Sequence, residues 1–368
     1  MVPSTWVIFP SSKQRTTWTL THEFTAWGRV GFAIYADDYM QNSHNHYGIR
    51  LTRLMVDGRE VFRADVNGIP YSSNRMVNSW GDYDHWLRHK TWYMKSFIEP
   101  GNTLNCLQAD DNRGVIDFNE ERDYQLEYIL RDFKGNKARY PFTVHAQPSV
   151  QTVSYAAALP QQSSVLRWNR TNSYSRPGMQ FIVPYGLVAN DTPLRPVTVR
   201  RPEGWSDTFQ FSPLSLPMMR NAELSIYVRR ASTDGVVDNY DTTKLYITNE
   251  QGRYFGGDYK DGWVVGHVSE LANCYELAYD DEPPIIKPVT INGNRLLLSV
   301  TDDQSGVASW TATVDGRFIV FDAIEKTMFY SCELSESWLR PTGKQHHLHF
   351  EATDNRHNIR VYETTFIY

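Results

Sequence analysis

A set of short motifs occurs in the same order near the beginning and near the end of this 368-residue chain. Near the end, Val307–Val314 leads to Asp315-Gly316-Arg317, and a later alternating stretch, His347–Ala352, is followed by Asp354 and Asn358. The earlier copy consists of Ile49–Val56, Asp57-Gly58-Arg59, Tyr124–Leu130, Asp132 and Asn136. A repeat on this scale indicates that the two ends of the chain fold as two copies of one supersecondary unit.

The repeated motifs are typical of antiparallel strands. Asp-Gly suits a two-residue hairpin turn in which φ is positive, and Asp followed by Asn four positions later supplies side-chain hydrogen bonds to a second turn. Aromatic residues make up 14% of the chain, and they favour the half-buried face of a sheet. No long stretch has the apolar period of a helix. We therefore predict a mostly all-β chain of tandem antiparallel β-sandwiches that resemble immunoglobulin-like domains.

Two junctions divide the chain into three predicted domains. A strand pattern ends within His145–Val150, and Asp280–Pro288 is an acidic, proline-rich connector of the kind that joins β domains. The predicted domains are residues 1–147, 148–282 and 283–368. In the middle domain, Phe255-Gly256-Gly257 and Asp261-Gly262 are predicted to form hairpin turns.

The first copy of the repeat contains an insertion of about 36 residues relative to the second. We place it within about 65–105, where Ser79–Ile98 is rich in Trp and Tyr and predicts a short helix or an ordered loop. Its tryptophans, Trp80, Trp86 and Trp92, are candidate ligand-binding residues because exposed rings stack on sugars and peptides. The alternative is that they fill the core of the insertion itself, and their spacing does not decide between the two.

His347 and His349 are the most suggestive, although weak, candidates for metal ligands. Residues i and i+2 of a strand point to the same face, a geometry in which two histidines bind zinc. A catalytic zinc needs about three protein ligands and an open position for water, and no third ligand is evident. The repeat instead places both residues on a closing strand, equivalent to Gln125–Leu130, and we interpret them as structural.

Other polar groups are further candidates. His44-Asn45-His46 also lacks a visible third ligand. Neighbouring acids could form a glycosidase dyad or a calcium loop, and they occur as Asp37-Asp38, Asp110-Asp111, Glu120-Glu121 and Asp302-Asp303. Adjacent residues of a strand point to opposite faces, which argues against a dyad. Because the first and last pairs occupy matching places in the repeat, we predict that they share a role in a turn.

Charge and hydropathy exclude several classes of partner. The 37 Lys and Arg against 42 Asp and Glu give a net charge of −5, so we expect no nucleic-acid partner. The longest run of apolar letters is five, so we predict no transmembrane segment. We also expect no secretion signal after Met1, so that the signal of an exported parent would lie upstream. Cys106, Cys274 and Cys332 are far apart and are expected to be buried, inert thiols.

The chain as a whole resembles a known region of bacterial enzymes. The stretches that carry the resemblance are Ala26–Gly48, Met55–Phe62, Met94–Asn102, Phe255–Trp263 and Ser305–Arg317. They resemble the long C-terminal region that follows the catalytic domain in exported lysostaphin-type zinc metallopeptidases of Gram-negative bacteria. That family cuts peptidoglycan cross-links and uses a His-x-His string together with an upstream His-x-x-x-Asp motif. No His here has Asp four positions later, so the resemblance implies that the catalytic domain and its zinc belong to a separate part of the parent protein.

The resemblance implies a non-catalytic accessory region in the periplasm or cell envelope. It would position a linked peptidase domain on peptidoglycan or on a partner protein, and would hold no cofactor of its own. One alternative is a stand-alone carbohydrate- or peptide-binding β-sandwich protein at the cell surface. A third hypothesis, an independent glycosidase, needs two carboxylates about 5–10 Å apart in a cleft.

Overall fold

The computed structural model describes residues 24–39, 45–148, 164–229 and 240–368. Within these residues, buried apolar side chains form three separate clusters, which span residues 54–146, 166–277 and 296–368. We call the parts of the chain around them the first unit (24–148), the middle unit (164–282) and the third unit (283–368). Almost all strand pairs are antiparallel, and the predicted class of tandem β-sandwiches is confirmed.

The first unit is built on a six-stranded sheet of order β1-β12-β11-β6-β7-β9, in which only β1 and β12 run parallel. Three two-stranded sheets, β10-β2, β3-β8 and β4-β5, complete it. Its strands are β1 (Phe24–Ala26), β2 (Gly28–Val30), β3 (Ala33–Ile34), β4 (Asp38–Tyr39), β5 (His46–Tyr47), β6 (Leu51–Val56), β7 (Arg59–Asp65), β8 (Met94–Lys95), β9 (Leu107–Ala109), β10 (Ile116–Phe118), β11 (Asp123–Arg131) and β12 (Lys137–Ala146).

The insertion of the first unit contains short helices, which is one of the two structures that the sequence predicts for it. A 3-10 helix, Tyr71–Met76, is followed by α1 (Val77–Trp80) and α2 (Tyr83–His89). Asp82 caps α2 by accepting a hydrogen bond from the His85 amide at 3.1 Å, and Lys90 ends the helix in the left-handed conformation. No helix in the described part of the chain has the length and apolar character that a membrane span requires.

The middle unit contains a five-stranded sheet, β14-β15-β19-β22-β21, and a four-stranded sheet, β17-β18-β23-β20, with β13 and β16 paired beside them. Side chains of both larger sheets share one cluster of buried residues. Its strands are β13 (Val165–Leu166), β14 (Asn172–Arg176), β15 (Met179–Val183), β16 (Thr192–Pro193), β17 (Val197–Val199), β18 (Thr208–Gln210), β19 (Ala222–Tyr227), β20 (Leu245–Asn249), β21 (Asp258–Lys260), β22 (Trp263–Val268) and β23 (Tyr275–Tyr279). A 3-10 helix, Thr242–Lys244, precedes β20.

One of the two predicted turns of the middle unit is wrong. Phe255-Gly256-Gly257 is not a hairpin turn but runs alongside β22, where the amide of His267 donates to the carbonyl of Phe255 at 2.7 Å. A Cβ on Gly256 would lie 2.8 Å from the Cα of Gly266, so glycine is needed for the close approach of two backbones rather than for a turn. Asp261-Gly262 does form the predicted hairpin turn between β21 and β22, with φ values of 51° and 87°.

The third unit is a sandwich of two four-stranded sheets, β24-β25-β29-β28 and β27-β26-β30-β31. Alternate residues of facing strands enter the core, among them Leu296, Leu298 and Val300 of one sheet and Leu348, Phe350 and Ala352 of the other. Its strands are β24 (Ile285–Asn292), β25 (Arg295–Thr301), β26 (Val307–Val314), β27 (Arg317–Phe318), β28 (Asp322–Ala323), β29 (Phe329–Glu333), β30 (Gln345–Asp354) and β31 (Ile359–Ile367). A 3-10 helix, Leu334–Glu336, follows β29.

The two copies of the repeat have the same hydrogen bonds at their hairpin turns. In the first unit, the amide of Gln125 donates to Oδ1 of Asp57 at 2.9 Å, and the amide of Asp57 donates to the carbonyl of Gln125 at 2.7 Å. In the third unit, His347 and Asp315 make the same pair of bonds at 2.8 and 2.9 Å. The aspartate of each turn therefore ties the hairpin to the neighbouring strand, and this part of the repeat is confirmed.

The acid pairs, in contrast, do not share a role in a turn. Asp37 accepts hydrogen bonds from the side chains of Tyr35, at 2.6 Å, and His46, at 2.9 Å. Asp302 instead accepts from the backbone amides of Gln304, at 3.1 Å, and Gly306, at 2.7 Å. The predicted equivalence is wrong because the first pair holds a surface hairpin, whereas Asp302 lies at the junction between two units.

Candidate functional site

Three aspartates from separate strands meet where the middle unit joins the third. Asp280 follows β23, Asp302 follows β25 and Asp354 ends β30. One carboxylate oxygen from each lies within 4.8 Å of the others, and this is the only such group of three or more metal-ligating side chains in the described residues. Asp280 and Asp354 are completely buried, and Asp302 is half-buried. We call this group the aspartate triad.

Backbone amides and one amide side chain hold the triad in place. Asp280 Oδ2 accepts from the amide of Ser305 at 3.1 Å. Asp354 Oδ1 accepts from the amide of Asn358 at 2.8 Å, and the Asn358 side chain donates to Asp354 Oδ2 at 2.7 Å and to the carbonyl of Asp280 at 3.0 Å. These neutral donors fix the positions of the carboxylates but do not cancel their charge.

The charge of the triad has no cationic partner among the described side chains. None of the described ion pairs involves a triad carboxylate. The two cations at the junction are directed to neutral oxygens: Lys244 Nζ donates to the carbonyl of Arg356 at 2.8 Å, and the guanidinium of Arg356 donates to backbone carbonyls of the middle unit. Burial, together with the carboxylates of Asp280 and Asp354, raises the pKa of Asp302 above its usual value of 3.8. The triad is thus a compact, electronegative cluster of oxygen atoms.

Sequence analysis did not group these residues, because Asp280, Asp302 and Asp354 are distant in the chain and only strand pairing brings them together. Two features pointed toward them. The connector that starts at Asp280 is acidic, and Asp354 belongs to the repeated Asp-x-x-x-Asn motif. Neither feature shows that the end of β23 in the middle unit lies beside the ends of β25 and β30 in the third unit.

His347 and His349 lie on the outward side of β30, between buried residues of the third-unit core. His347 is exposed, and His349 Nδ1 lies 2.9 Å from Glu363 Oε1 on the neighbouring strand β31. They belong to no group of three metal-ligating side chains in the described residues. His44 of the other histidine pair lies outside the described residues. The structural interpretation of His347 and His349 stays a prediction.

The three tryptophans of the insertion occupy different environments. Trp80 is 6% exposed and donates from Nε1 to the carbonyl of Lys95 at 3.0 Å, so its ring is part of the core. Trp86 and Trp92 are half-buried and meet edge to face, with ring centroids 5.9 Å apart. Lys90 Nζ lies 5.2 Å from the centre of the Trp86 ring. Ligand binding by these residues stays a prediction, and only Trp86 and Trp92 keep surface available for it.

The middle unit also has a cleft of about 500 Å³, whose lining includes Tyr227, Arg229 and Tyr259. Arg229 forms an ion pair with Asp207, so the charges in the lining balance.

The cysteines offer no reactive group. Cys106 and Cys332 are buried and Cys274 is half-buried, and none forms a disulfide. Burial raises the pKa of all three thiols, that of Cys332 to about 11. At neutral pH these groups are protonated and therefore poor nucleophiles.

Comparison with solved structures gives only distant likenesses. The chain is 14% identical to the Clostridium perfringens spore cortex lytic enzyme SleM, over 34% of this chain and 38% of that one, with a TM-score of 0.19. It is 10% identical to the human desmocollin-1 ectodomain, over 73% and 48%, with a TM-score of 0.18. It is 11% identical to SGBP-B of the Bacteroides ovatus mixed-linkage glucan utilization locus, over 98% and 68%, with a TM-score of 0.16. The chain thus spans less than half the length of the first two, and such low scores support no argument about function.

Comparison by sequence adds one finding. No curated protein matches the chain significantly. Residues 163–280 match the family model of the Zu5-like domain, a stretch that ends at Asp280 of the aspartate triad. The middle unit is thus similar to a Zu5-like domain, and the match does not extend to the units on either side.

Proposed function

We propose that this chain is a non-catalytic accessory region that holds a linked zinc metallopeptidase domain in a fixed position on peptidoglycan in the cell envelope. The resemblance of its sequence motifs to the C-terminal region of lysostaphin-type enzymes motivates the proposal. The observation that carries it is that direct hydrogen bonds join consecutive units at both junctions. A region of this kind acts as a rigid spacer rather than as a flexible chain of domains.

At the first junction, the insertion of the first unit lies against the middle unit. The amide of Gly101 donates to the carbonyl of Ala189 at 2.7 Å, and the amide of Ser215 donates to Oδ1 of Asp84 on α2 at 3.2 Å. A Cβ on Gly101 would lie 3.0 Å from the backbone of Ala189, so glycine permits this close contact. The insertion thus links two units in addition to completing the core of the first.

At the second junction, the third unit places an arginine in the middle unit. Arg356 is 6% exposed, and its Nη1 donates to the carbonyls of Leu245 and Gly257, both at 2.7 Å. In the opposite direction, Lys244 of the middle unit donates to the carbonyl of Arg356 at 2.8 Å and to the side chain of Asn358. Because each unit supplies donors to the other, rotation about the connector would break several hydrogen bonds at once.

A rigid spacer serves a linked enzyme by geometry. A tethered catalytic domain acts at an effective concentration that depends on whether the tether spans the distance to its substrate. A spacer of fixed shape keeps that distance constant and loses no binding free energy to the ordering of its own parts.

Purified peptidoglycan tests the proposal. We expect the purified chain to sediment with insoluble peptidoglycan and to release no soluble fragments, with or without added zinc. Fragment release together with zinc bound in a one-to-one ratio would show that the chain is itself an enzyme. Failure to sediment would overturn the assignment of peptidoglycan as the target.

The half-exposed pair of Trp86 and Trp92 favours a second candidate function, a stand-alone carbohydrate-binding protein. Aromatic rings at a surface stack on the apolar faces of sugars. For this function, we expect saturable binding to at least one glycan of a purified panel, with Trp86→Ala weakening it by roughly tenfold or more. Tyr71→Ala is the matched control, because Tyr71 is an aromatic residue of the same insertion and is 90% exposed. An equal loss in both variants, or binding to no glycan, would argue against a tryptophan site.

A further inference from the structure

We propose that the aspartate triad is a binding site for a divalent cation, with calcium as the preferred ion, at the junction of the middle and third units. The proposal rests on the geometry and charge of Asp280, Asp302 and Asp354 and on one unpaired hydroxyl beside them. It does not depend on the accessory function proposed above.

The first argument is electrostatic. Two completely buried carboxylates and one half-buried carboxylate lie within 4.8 Å of one another, and none has a cationic side chain as a partner among the described residues. Burying a charge without a compensating partner is strongly unfavourable. The amides that donate to Asp280, Asp302 and Asp354 offset only part of this cost. A divalent cation would neutralise most of the charge in one step.

The second argument is independent of the acids and comes from Ser305. This residue is 2% exposed, and its amide contacts Oδ2 of Asp280. Its hydroxyl is enclosed and has no hydrogen-bond partner among the described residues. A buried hydroxyl without a partner costs free energy, and a cation bound at Asp280, or a water molecule held by that cation, would give it one. We therefore place the Ser305 hydroxyl in the ligand shell or directly behind it.

The third argument is that the repeated Asp-x-x-x-Asn motif does not by itself produce a cluster of buried carboxylates. Asp132 of the first unit corresponds to Asp354 and has the same partner arrangement, since the amide and side chain of Asn136 donate to it at 2.8 and 2.6 Å. Asp132, however, is only half-buried, whereas Asp354 is completely buried, and Asp132 belongs to no group of three metal-ligating side chains in the described residues. The shared Asp-x-x-x-Asn motif makes a turn in both units. Only at the junction is its aspartate completely buried and accompanied by two further carboxylates.

The donor atoms indicate which ion fits. All of them are oxygens, the donors that the hard cations Ca²⁺ and Mg²⁺ prefer. Calcium binds oxygen at about 2.3–2.6 Å, so oxygens up to about 5 Å apart can share one ion, and the separations in the triad lie within that limit. Magnesium demands a nearly ideal octahedron and retains several waters. Three carboxylates fixed by protein amides, two of them fully buried, suit calcium better.

The position of the site gives the cation a structural role. Asp280 comes from the middle unit, whereas Asp302 and Asp354 come from the third. One ion bound to all three would therefore join the units at the point where Arg356 and Lys244 already connect them. Removal of the ion would leave three repelling charges at the junction, and we expect it to loosen the contact between the two units.

The experiment compares chelator-treated protein with and without calcium chloride. We expect calcium to raise the melting temperature by several degrees and to give saturable heat in calorimetric titration, with a dissociation constant of about 1 mM or lower. Asp302→Asn should weaken binding by roughly tenfold or more, because it removes one ligand charge while keeping an oxygen acceptor for the turn. In chelator, this variant should be at least as stable as the wild type, since one repelling charge is gone.

Asp132→Asn is the matched control, and its calcium response should equal that of the wild type. Failure of about 10 mM calcium to change the melting temperature and to give binding heat would overturn the proposal. An equal loss of response in Asp132→Asn and Asp302→Asn would also overturn it, and an equal response to magnesium would overturn the preference for calcium. Retained stability of Asp302→Asn in chelator separates loss of the ion from failure to fold.

Discussion

Replacing Arg356 by alanine is expected to lower the free energy of unfolding by about 3–5 kcal/mol. The Arg356 side chain is almost fully buried, and its Nη1 donates two charge-assisted hydrogen bonds, to the carbonyls of Leu245 and Gly257. Alanine would remove both bonds, leave the two carbonyls without this donor and open a cavity between the units. Urea unfolding measures the loss, and small-angle X-ray scattering measures whether the maximum dimension of the particle grows as the third unit moves away.

Arg340→Ala is the control for this experiment. Arg340 also donates to backbone carbonyls, those of Ser337 and Leu339, but it is exposed and makes these contacts within its own unit. Its removal should change stability by about 0.5 kcal/mol or less and leave the scattering profile unchanged. If Arg356→Ala behaved like this control, the junction would not depend on the buried arginine, and the rigid spacer would lose its main support.

The second large effect is expected for Phe211→Ala, with a loss of about 3–5 kcal/mol. Phe211 is completely buried in the middle unit, and its ring is stacked on Phe181 with centroids 4.1 Å apart. Truncation removes this contact and leaves a cavity that neighbouring side chains, held in regular strands, cannot fill without moving the backbone. Chemical unfolding followed by circular dichroism measures the change.

Phe133→Ala provides the comparison for Phe211→Ala. Phe133 is 69% exposed and makes one ring contact, with the guanidinium of Arg50 at 5.3 Å. Its loss should cost no more than about 1 kcal/mol, because the ring gives up little buried area and one weak cation–π contact. Similar losses for the two variants would contradict the placement of Phe211 in the core.

Local chemistry explains which parts of the fold were predictable from sequence. The Asp57 and Asp315 turns were predictable because Asp-Gly forms a hairpin through backbone preferences that need no tertiary partner. The insertion was predicted to hold a short helix or an ordered loop because its aromatic residues do not alternate, and α2 occupies that segment. These inferences rest on residues close together in sequence.

Errors arose where one residue type serves two physical purposes. The glycines of Phe255-Gly256-Gly257 indicated a turn, but they allow two backbones to approach closely between β20 and β22. The sequence likewise does not distinguish Trp80 from Trp86, although the structure buries Trp80 and leaves Trp86 partly accessible. The distinction depends on which strands pair, and pairing partners are set by contacts distant in the chain.

The aspartate triad could not be predicted from the sequence, because its three members are brought together only by contacts between residues distant in the chain. Asp302 is one of two adjacent acids in the sequence, and the sequence does not distinguish it from Asp303, although only Asp302 joins the cluster. Its true companions, Asp280 and Asp354, are 22 and 52 residues away in the chain. The cluster forms only in the tertiary fold, which brings the start of the connector next to the ends of two strands.

The contact between α2 and the middle unit also bears on how the protein is made. Asp84 and its partner Ser215 are 131 residues apart, so a ribosome that has just released the insertion still needs roughly 10 s to synthesise the partner. During that interval the growing chain exposes the part of α2 around Asp84 that later contacts the middle unit. Such nascent chains attract chaperones or associate wrongly, which makes the rate of synthesis through the middle unit a determinant of yield.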